Sequence, residues 1–278
     1  ILGLDGLSHA HGDNYFHDGH LAASVIAACY LCHENGLGEH TQDVIKSLID
    51  HDLREDTIFL PAPDEPPGAP LLAQLLDTLS SGIGDLREVG HNIIFGAYAL
   101  KAFRDYPDAI TPHRVEGICR LIDDFAVTTN VSLEDDDGVP GIADESALIK
   151  FIFNEYLRSV SLYAGYGQGW TGHLLTIGHA IIELSRLGYP DLAARAHTAY
   201  RIYIGTLRRG PGKTARPIPE HPASDLTPLD QAYWELRKSV RPGLGHAFKY
   251  PCSFYNLLAG LDDPLLKDRC LAESYRIF

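Results

Sequence analysis

The dipeptide Gly-His opens four long apolar stretches, as Gly19-His20, Gly90-His91, Gly172-His173 and Gly245-His246, with these histidines 71, 82 and 73 residues apart, and it recurs inside the third as Gly178-His179. Aligned on Gly-His, the stretches carry apolar side chains at related offsets: Val25, Ile26 and Cys29; Ala97 and Leu100; Ile181 and Ile182; Phe254 and Tyr255. After about four turns each meets a Gly, Pro or Asp breaker, and a second helical stretch follows. An internal repeat of this kind predicts helical units that stack on their neighbours, because one unit cannot bury its apolar face alone. The expected fold is therefore all-α, a closed α/α toroid in which the four polar helix starts share one rim. An open α-superhelix is the alternative.

Helical periodicity covers 20–35, 41–53, 70–81, 91–105, 112–127, 144–164, 173–187, 191–208, 228–240, 246–260 and 264–277. Thr41 and Thr111 are expected caps, Pro112 suits a first helical position, and Gly36 and Gly188 suit helix ends. Three loops interrupt the pattern: a Pro-rich one at 60–70, an acidic one at 132–143, and a basic, Pro-rich one at 209–225 that is placed to lie over the mouth. No shift in composition marks a boundary, so the chain reads as one domain over 1–278.

Composition narrows the function. A formal charge of −14 argues against nucleic acid and against an anionic membrane surface as partners. No apolar run reaches the ~18 residues of a bilayer span, and no secretory pattern opens the sequence. Five cysteines, an odd number, read as thiols of a reducing compartment, and the expected location is cytoplasmic. The chain contains no methionine; a sequence from which methionines had been lost would shorten helical offsets by one.

The densest group of metal-competent residues is the N-terminal run DGLSHAHGDNYFHDGH, which holds His9, His11, Asp13, His17, Asp18 and His20. Imidazole and carboxylate together suit iron, zinc, nickel or manganese, and three protein ligands suffice for a site with open positions. His9, His11, Asp13, His17 and His20 are thus the expected metal ligands. The bland alternative is an exposed polar loop whose histidines bond water and backbone. His91, His173 and His246, from the other Gly-His copies, are expected catalytic residues at the mouth. Histidine titrates near neutral pH and serves as a general acid or base there. For them too a structural role is open: a histidine near a helix start can simply bond the preceding turn.

Trp170, Tyr166 and Lys249 are the expected substrate contacts, the aromatics as pocket walls and the lysine as a cation for an anionic group, with Arg87 and Arg241 as further cations beside Gly-His. His179, six residues after His173, does not share its helix face and reads as a core histidine. Several motifs are set aside. Cys29-x-x-Cys32-His33 matches haem attachment, but the repeat places both cysteines at apolar offsets. Gly167-x-Gly169-x-x-Gly172 lacks the strand a dinucleotide site needs, so neither haem nor dinucleotide is expected. Gly210-Pro-Gly-Lys213-Thr214 fails the P-loop spacing, and the run Glu134 to Asp137 reads as a solvated loop.

The last repeat, His246-Ala-Phe-Lys-Tyr-Pro251 followed by Leu257-Leu258, resembles a segment of the questin oxidase-like family. The third repeat, with His173, His179-Ala180 and then Leu187-Gly188-Tyr-Pro-Asp, is similar to that family's histidine-bearing helices. The resemblance covers the C-terminal third. It implies an oxidoreductase that oxygenates or cleaves small aromatic or polyketide-like molecules, with His173, His179 and His246 in the site.

These lines converge on a small-molecule enzyme with a His-rich, metal-binding site in the mouth of a helical toroid, favoured as a metal-dependent oxidoreductase. A metal-dependent hydrolase or lyase acting on sugars is the second reading, with Asp13, Asp18 and Glu88 as the nearest carboxylates. A non-enzymatic helical-repeat binding protein is the third. The oligomeric state is not written in the sequence.

Overall fold

The computed structural model describes residues 1–53, 56–129, 131, 133, 137–240 and 244–278. The described residues are all-α: they form no β-strand, only an isolated bridge between Arg87 and Val127. In chain order the helices are α1 (Leu2–His9), α2 (Tyr15–Glu34), α3 (Glu39–Leu53), α4 (Leu72–Gly82), α5 (His91–Asp105), α6 (Pro112–Asp124), α7 (Glu145–Leu162), α8 (Gly169–Arg186), α9 (Pro190–Arg208), α10 (Gln231–Val240), α11 (Leu244–Ala247), α12 (Lys249–Ala259) and α13 (Pro264–Ala272). Among the described residues no helix is long and apolar enough to cross a membrane.

Local chemistry explains most boundaries. Pro112, Pro190 and Pro264 open α6, α9 and α13, where a missing N–H costs nothing. The Asp144 carboxylate accepts from the Ala147 N–H at 2.9 Å and caps α7. Gly36 and Gly188 adopt positive φ just past α2 and α8. Two expected caps differ. Thr41 lies inside α3, and Thr111 precedes α6 without a capping bond, its hydroxyl buried and unpartnered.

The four Gly-His repeats supply α2, α5, α8 and α11–α12. Helix α2 packs on α5, α5 on α8, α8 on α12, and α12 back on α2. Outside them, α1 lies on α2 and α6, α4 on α5 and α6, α7 and α9 on α8, and α13 on α7.

The glycine of each repeat makes the approach to the next one possible. A Cβ on Gly19 would stand 2.6 Å from Phe95, on Gly90 2.6 Å from Ile177, and on Gly172 2.1 Å from Tyr250. Phe95, Ile177 and Tyr250 each lie four residues after their own histidine, so the contact repeats with the sequence. The fourth step closes with polar atoms: Ser24, four after His20, donates its hydroxyl to the Gly245 carbonyl at 3.0 Å. Gly-His is thus a packing device as well as a chemical one. Around the circuit the core is aromatic, with Phe95, Phe125, Phe153, Tyr156, Tyr200 and Phe254 fully buried; each contributes about 1.5–3 kcal/mol of apolar burial.

Candidate metal centre

Because each histidine follows its contact glycine, the circuit brings all four imidazoles to one point. One nitrogen from each of His20, His91, His173 and His246 lies within 4.8 Å of the other three. The ring centroids follow the helix order, 4.3 Å from His20 to His91, 4.8 Å to His173, 5.1 Å to His246 and 5.1 Å back to His20. Three rings are buried and His246 is half-buried.

The backbone fixes how the rings face. His20 Nδ1–H donates to the Phe16 carbonyl at 2.5 Å, and His173 Nδ1–H to the Gly169 carbonyl at 2.7 Å. His91 Nδ1–H donates to the Glu88 carbonyl. A neutral imidazole has one N–H, so these bonds leave Nε2 as a lone pair in each ring. The Nε2 atoms of His91 and His173 then meet at 3.1 Å with no proton between them. Nε2 of His246 is buried and has no hydrogen-bond partner among the described residues. Lone pairs forced together repel unless a cation lies among them. A carbonyl holding the outer ring nitrogen is how proteins orient metal-binding histidines.

The segment before His91 is strained. Glu88 and Val89 adopt φ of 40° and 59°, and Gly90 follows at 94°. A β-branched residue in the left-handed region costs on the order of 1–3 kcal/mol. The turn is tied down by Glu88 N–H to the Ala126 carbonyl at 3.0 Å and Val89 N–H to the Thr128 hydroxyl at 3.3 Å. That turn is what presents the Glu88 carbonyl to His91.

Electrostatics keep the centre uncharged when it is empty. Burial pushes all four imidazoles below their usual range, His173 to about 4, and the nearby Lys249 adds to the effect in each. Lys249 is itself 1% exposed, its amine has no hydrogen-bond partner, and burial holds it well below an ordinary lysine. The amine sits 5.1 Å from the centre of the Phe95 ring. No carboxylate is among the groups that shift the four rings. The donor set is therefore four neutral imidazoles. A metal–imidazole bond of about 2.0–2.1 Å places nitrogens about 3.4 Å apart in a tetrahedron and about 4.2 Å apart across a square. The 4.8 Å limit on the spread here exceeds the square's span by about 0.6 Å and the tetrahedral edge by about 1.4 Å.

The N-terminal run does not form the expected site. Residues 2–9, which carried no helical expectation, are the buried helix α1; His9 ends it and pairs with His113, Nε2 to Nε2 at 3.0 Å, while its Nδ1–H donates to the Ile58 carbonyl at 2.9 Å. His11, Asp13 and His17 are exposed, and among the described residues they join no metal-competent group. Only His20 of that set reaches the centre, because only His20 follows a contact glycine on an inner helix. Of the expected carboxylates, Glu88 accepts the Tyr15 hydroxyl at 2.8 Å and Asp13 is exposed.

The expected catalytic trio, His91, His173 and His246, does come together. Among the expected substrate contacts, Lys249 is a buried neighbour of the centre. Tyr166 is 42% exposed, and Trp170 packs on Tyr203 with ring centres 5.4 Å apart. Arg87 turns against Gly82 and Asp85; Arg241, and Glu134 to Asp136 of the acidic loop, lie outside the described residues. His179 is a core histidine, its Nδ1 3.1 Å from the Ser253 hydroxyl. Cys32 is buried as expected, whereas Cys29 is exposed. Sequence reasoning missed Tyr250, which stacks on His246 at 4.6 Å and reaches His173 Nδ1 with its hydroxyl at 3.2 Å. Its offset of four from His246, shared with Phe95 and Ile177, was the available signal.

No protein-family model, curated protein or solved structure matches this chain.

Proposed function

We propose that the protein is a metal-dependent enzyme for a small molecule, that His20, His91, His173 and His246 hold the ion, and that its chemistry is oxidation. One observation carries the reading: four imidazoles meet at one point, three of them pinned through Nδ1 to backbone carbonyls, with no proton between the His91 and His173 Nε2 atoms and, among the described residues, no carboxylate in the group. Iron, nickel, manganese or zinc suits imidazole donors, and a redox-active ion would supply electron transfer or oxygen chemistry. The chain's residues orient the donors and bury three of the four rings.

Oxidation is favoured over hydrolysis because, among the described residues, no carboxylate joins the four histidines to serve as general base. The likeness of the third and fourth repeats to the questin oxidase-like family favours the same side. A closed α/α toroid is the architecture we propose, on the support of the contact that each repeat makes with the next and the fourth with the first. A purely structural role for Gly-His accounts for the Nδ1 bonds but gives no reason for Nε2 atoms to face one another.

A second reading has its own observation. The Tyr250 hydroxyl lies 3.2 Å from both His173 Nδ1 and the Gly169 carbonyl. If the tyrosine donated to His173 Nδ1, His173 Nε2–H would donate to His91 Nε2, and the group would be a metal-free acid–base chain. Elemental analysis separates the two. Protein purified without chelator should carry near-stoichiometric metal that a His91→Ala/His173→Ala variant lacks, iron, nickel or manganese pointing to oxidation and zinc to hydrolysis. No metal, both as purified and after reconstitution, overturns the metal centre.

A further inference from the structure

His246, the half-buried member of the four, is also a wall of a chamber of about 220 Å3, together with Gln168, Tyr250, Arg276 and Ile277. A second chamber of about 320 Å3 is lined by Pro222, Leu226, Tyr233, Leu236 and Tyr275. His221, Arg237 and Phe278 line both, so the two chambers meet along a shared wall. The inner part is polar and ends at an imidazole of the candidate centre. The outer part is largely apolar. Together they have the size of a pocket for a small organic ligand.

The cations at this junction are not alike. Arg276 is neutralised by two carboxylates, Glu220 at 2.8 Å and Glu273 at 2.6 Å. Arg237 has none: among the described residues its guanidinium bonds only the Tyr233 hydroxyl and lies 5.3 Å from the centre of that ring. In a chain of net charge −14 with 37 carboxylate side chains, a half-buried arginine without an acidic partner is conspicuous. Stacking on Tyr233 orients the guanidinium and leaves its other N–H groups free for a planar, two-oxygen acceptor.

We propose that this two-part cleft binds a small organic carboxylate, its acid group on Arg237, its apolar body in the outer chamber and its polar end directed at His246. The binding claim stands on the cleft alone; that the polar end is the reacting end rests on the metal-centre reading above. Polarity gives the orientation: reversing the ligand would put the apolar body among Gln168, His246 and Arg276, which line the inner chamber alone.

Octanoate and octanamide, titrated calorimetrically into the purified protein, provide the test. Octanoate should bind the wild type, and at least tenfold more weakly to Arg237→Gln. Octanamide should bind both proteins alike and more weakly than octanoate binds the wild type. Arg237→Lys, which keeps the charge without the planar fork, should fall between, and thermal melts of both variants report whether they fold. Chelator-treated wild type should bind octanoate as well as the untreated protein does. Equal octanoate affinity in wild type and folded Arg237→Gln overturns the proposal. So does an octanamide affinity matching that of octanoate, no binding of octanoate at millimolar concentration, or octanoate binding that disappears with the metal. Failure of the metal centre shows separately, as absent metal in the same preparation, and leaves the octanoate comparison readable.

Discussion

His91 and Lys101 stand ten residues apart on α5, and both are buried, yet their surroundings are opposite in kind. Lys101 Nζ lies 2.5 Å from Glu34 and 2.6 Å from Glu183, and Glu183 is bridged again by Arg186 at 3.2 Å. His179 stands 3.9 Å from the same Glu183. Charge is balanced within the chain at that end of the inner helices. At the other end, His91 and its three partners face one another with no counter-charge and with hydrogen-bonding capacity left over. Buried polar groups are ordinarily satisfied. A buried cluster that completes itself needs only a structural explanation, whereas one that stays incomplete calls for a ligand. The comparison can be broken by experiments that treat the two clusters alike.

The largest contrast should be in metal content. Removing His91 and His173 should abolish it, since two donors remain. His179→Ala, an equally buried histidine on the same helix as His173, should leave metal stoichiometry unchanged by elemental analysis. Loss of metal from both variants would mean that general loosening, not ligation, explains the effect.

Stability should divide the other way. Lys101→Met leaves two carboxylates without their shared cation, Glu183 of them only 6% exposed. Breaking a buried pair from one side costs about 3–5 kcal/mol. Urea unfolding of chelated protein should show that loss for Lys101→Met, with much of it recovered in Lys101→Met/Glu183→Gln. A loss below about 1 kcal/mol would show that the pairs are more solvated than their burial implies.

The pH dependence has a worked sign. Burial lowers His179 to about 4, against the opposing pull of Glu183. The unfolded chain therefore binds a proton near pH 6.5 that the folded chain refuses until about pH 4, and stability falls as pH drops through that window. Glu183 acts in the same direction lower down. Burial would raise it, but His179 and Lys101 together hold it below its usual value, so its contribution is present above the ordinary glutamate range and is lost as pH falls through the folded value. His179→Gln in the chelated protein should remove on the order of 3 kcal/mol from the stability change between pH 4 and 6.5. An unchanged slope would locate the titrating groups at the four-histidine end instead.

How much of this was legible follows from where each signal lies. Helix bounds came through well: the reading of 91–105 coincides with α5, because apolar periodicity and breakers are local. The convergence of His91, His173 and His246 was legible from the repeat, since matched positions in matched units occupy matched places. Of the expected ligand set the structure brings only His20 to the candidate centre, because closeness in sequence is not closeness in space. His11, Asp13 and His17 are neighbours along a turn that points to solvent, while His20 lies 226 residues from His246, its neighbour in the circuit. Helix α1 was missed because Leu-Gly-Leu-Asp-Gly-Leu reads as turn-rich. Its glycines instead let it lie against α2, where a Cβ on Gly3 would stand 2.5 Å from Ile26. The cleft was illegible, for Gln168, His221, Arg237 and Arg276 come from four separate segments.

The smallest expected effect sharpens the comparison most. Lys101 sits in relaxed helix, whereas His91 is preceded by two non-glycine residues at positive φ. If that strain is tolerated in order to hold the Glu88 carbonyl against His91, relieving it should separate stability from metal affinity. Glycine accepts the Val89 conformation without a Cβ clash, worth on the order of 1–3 kcal/mol. Against that, glycine loses roughly 0.5–1 kcal/mol in chain entropy, and part of the Val89 side-chain packing goes too. Val89→Gly should therefore leave the chelated protein as stable as wild type or up to about 1 kcal/mol more stable, while weakening metal binding severalfold in a competition titration with a chelator. Tighter metal binding would mean that the strained turn opposes the site. A stability loss above about 1 kcal/mol would mean that Val89 packing, and not its backbone, is what the fold uses there.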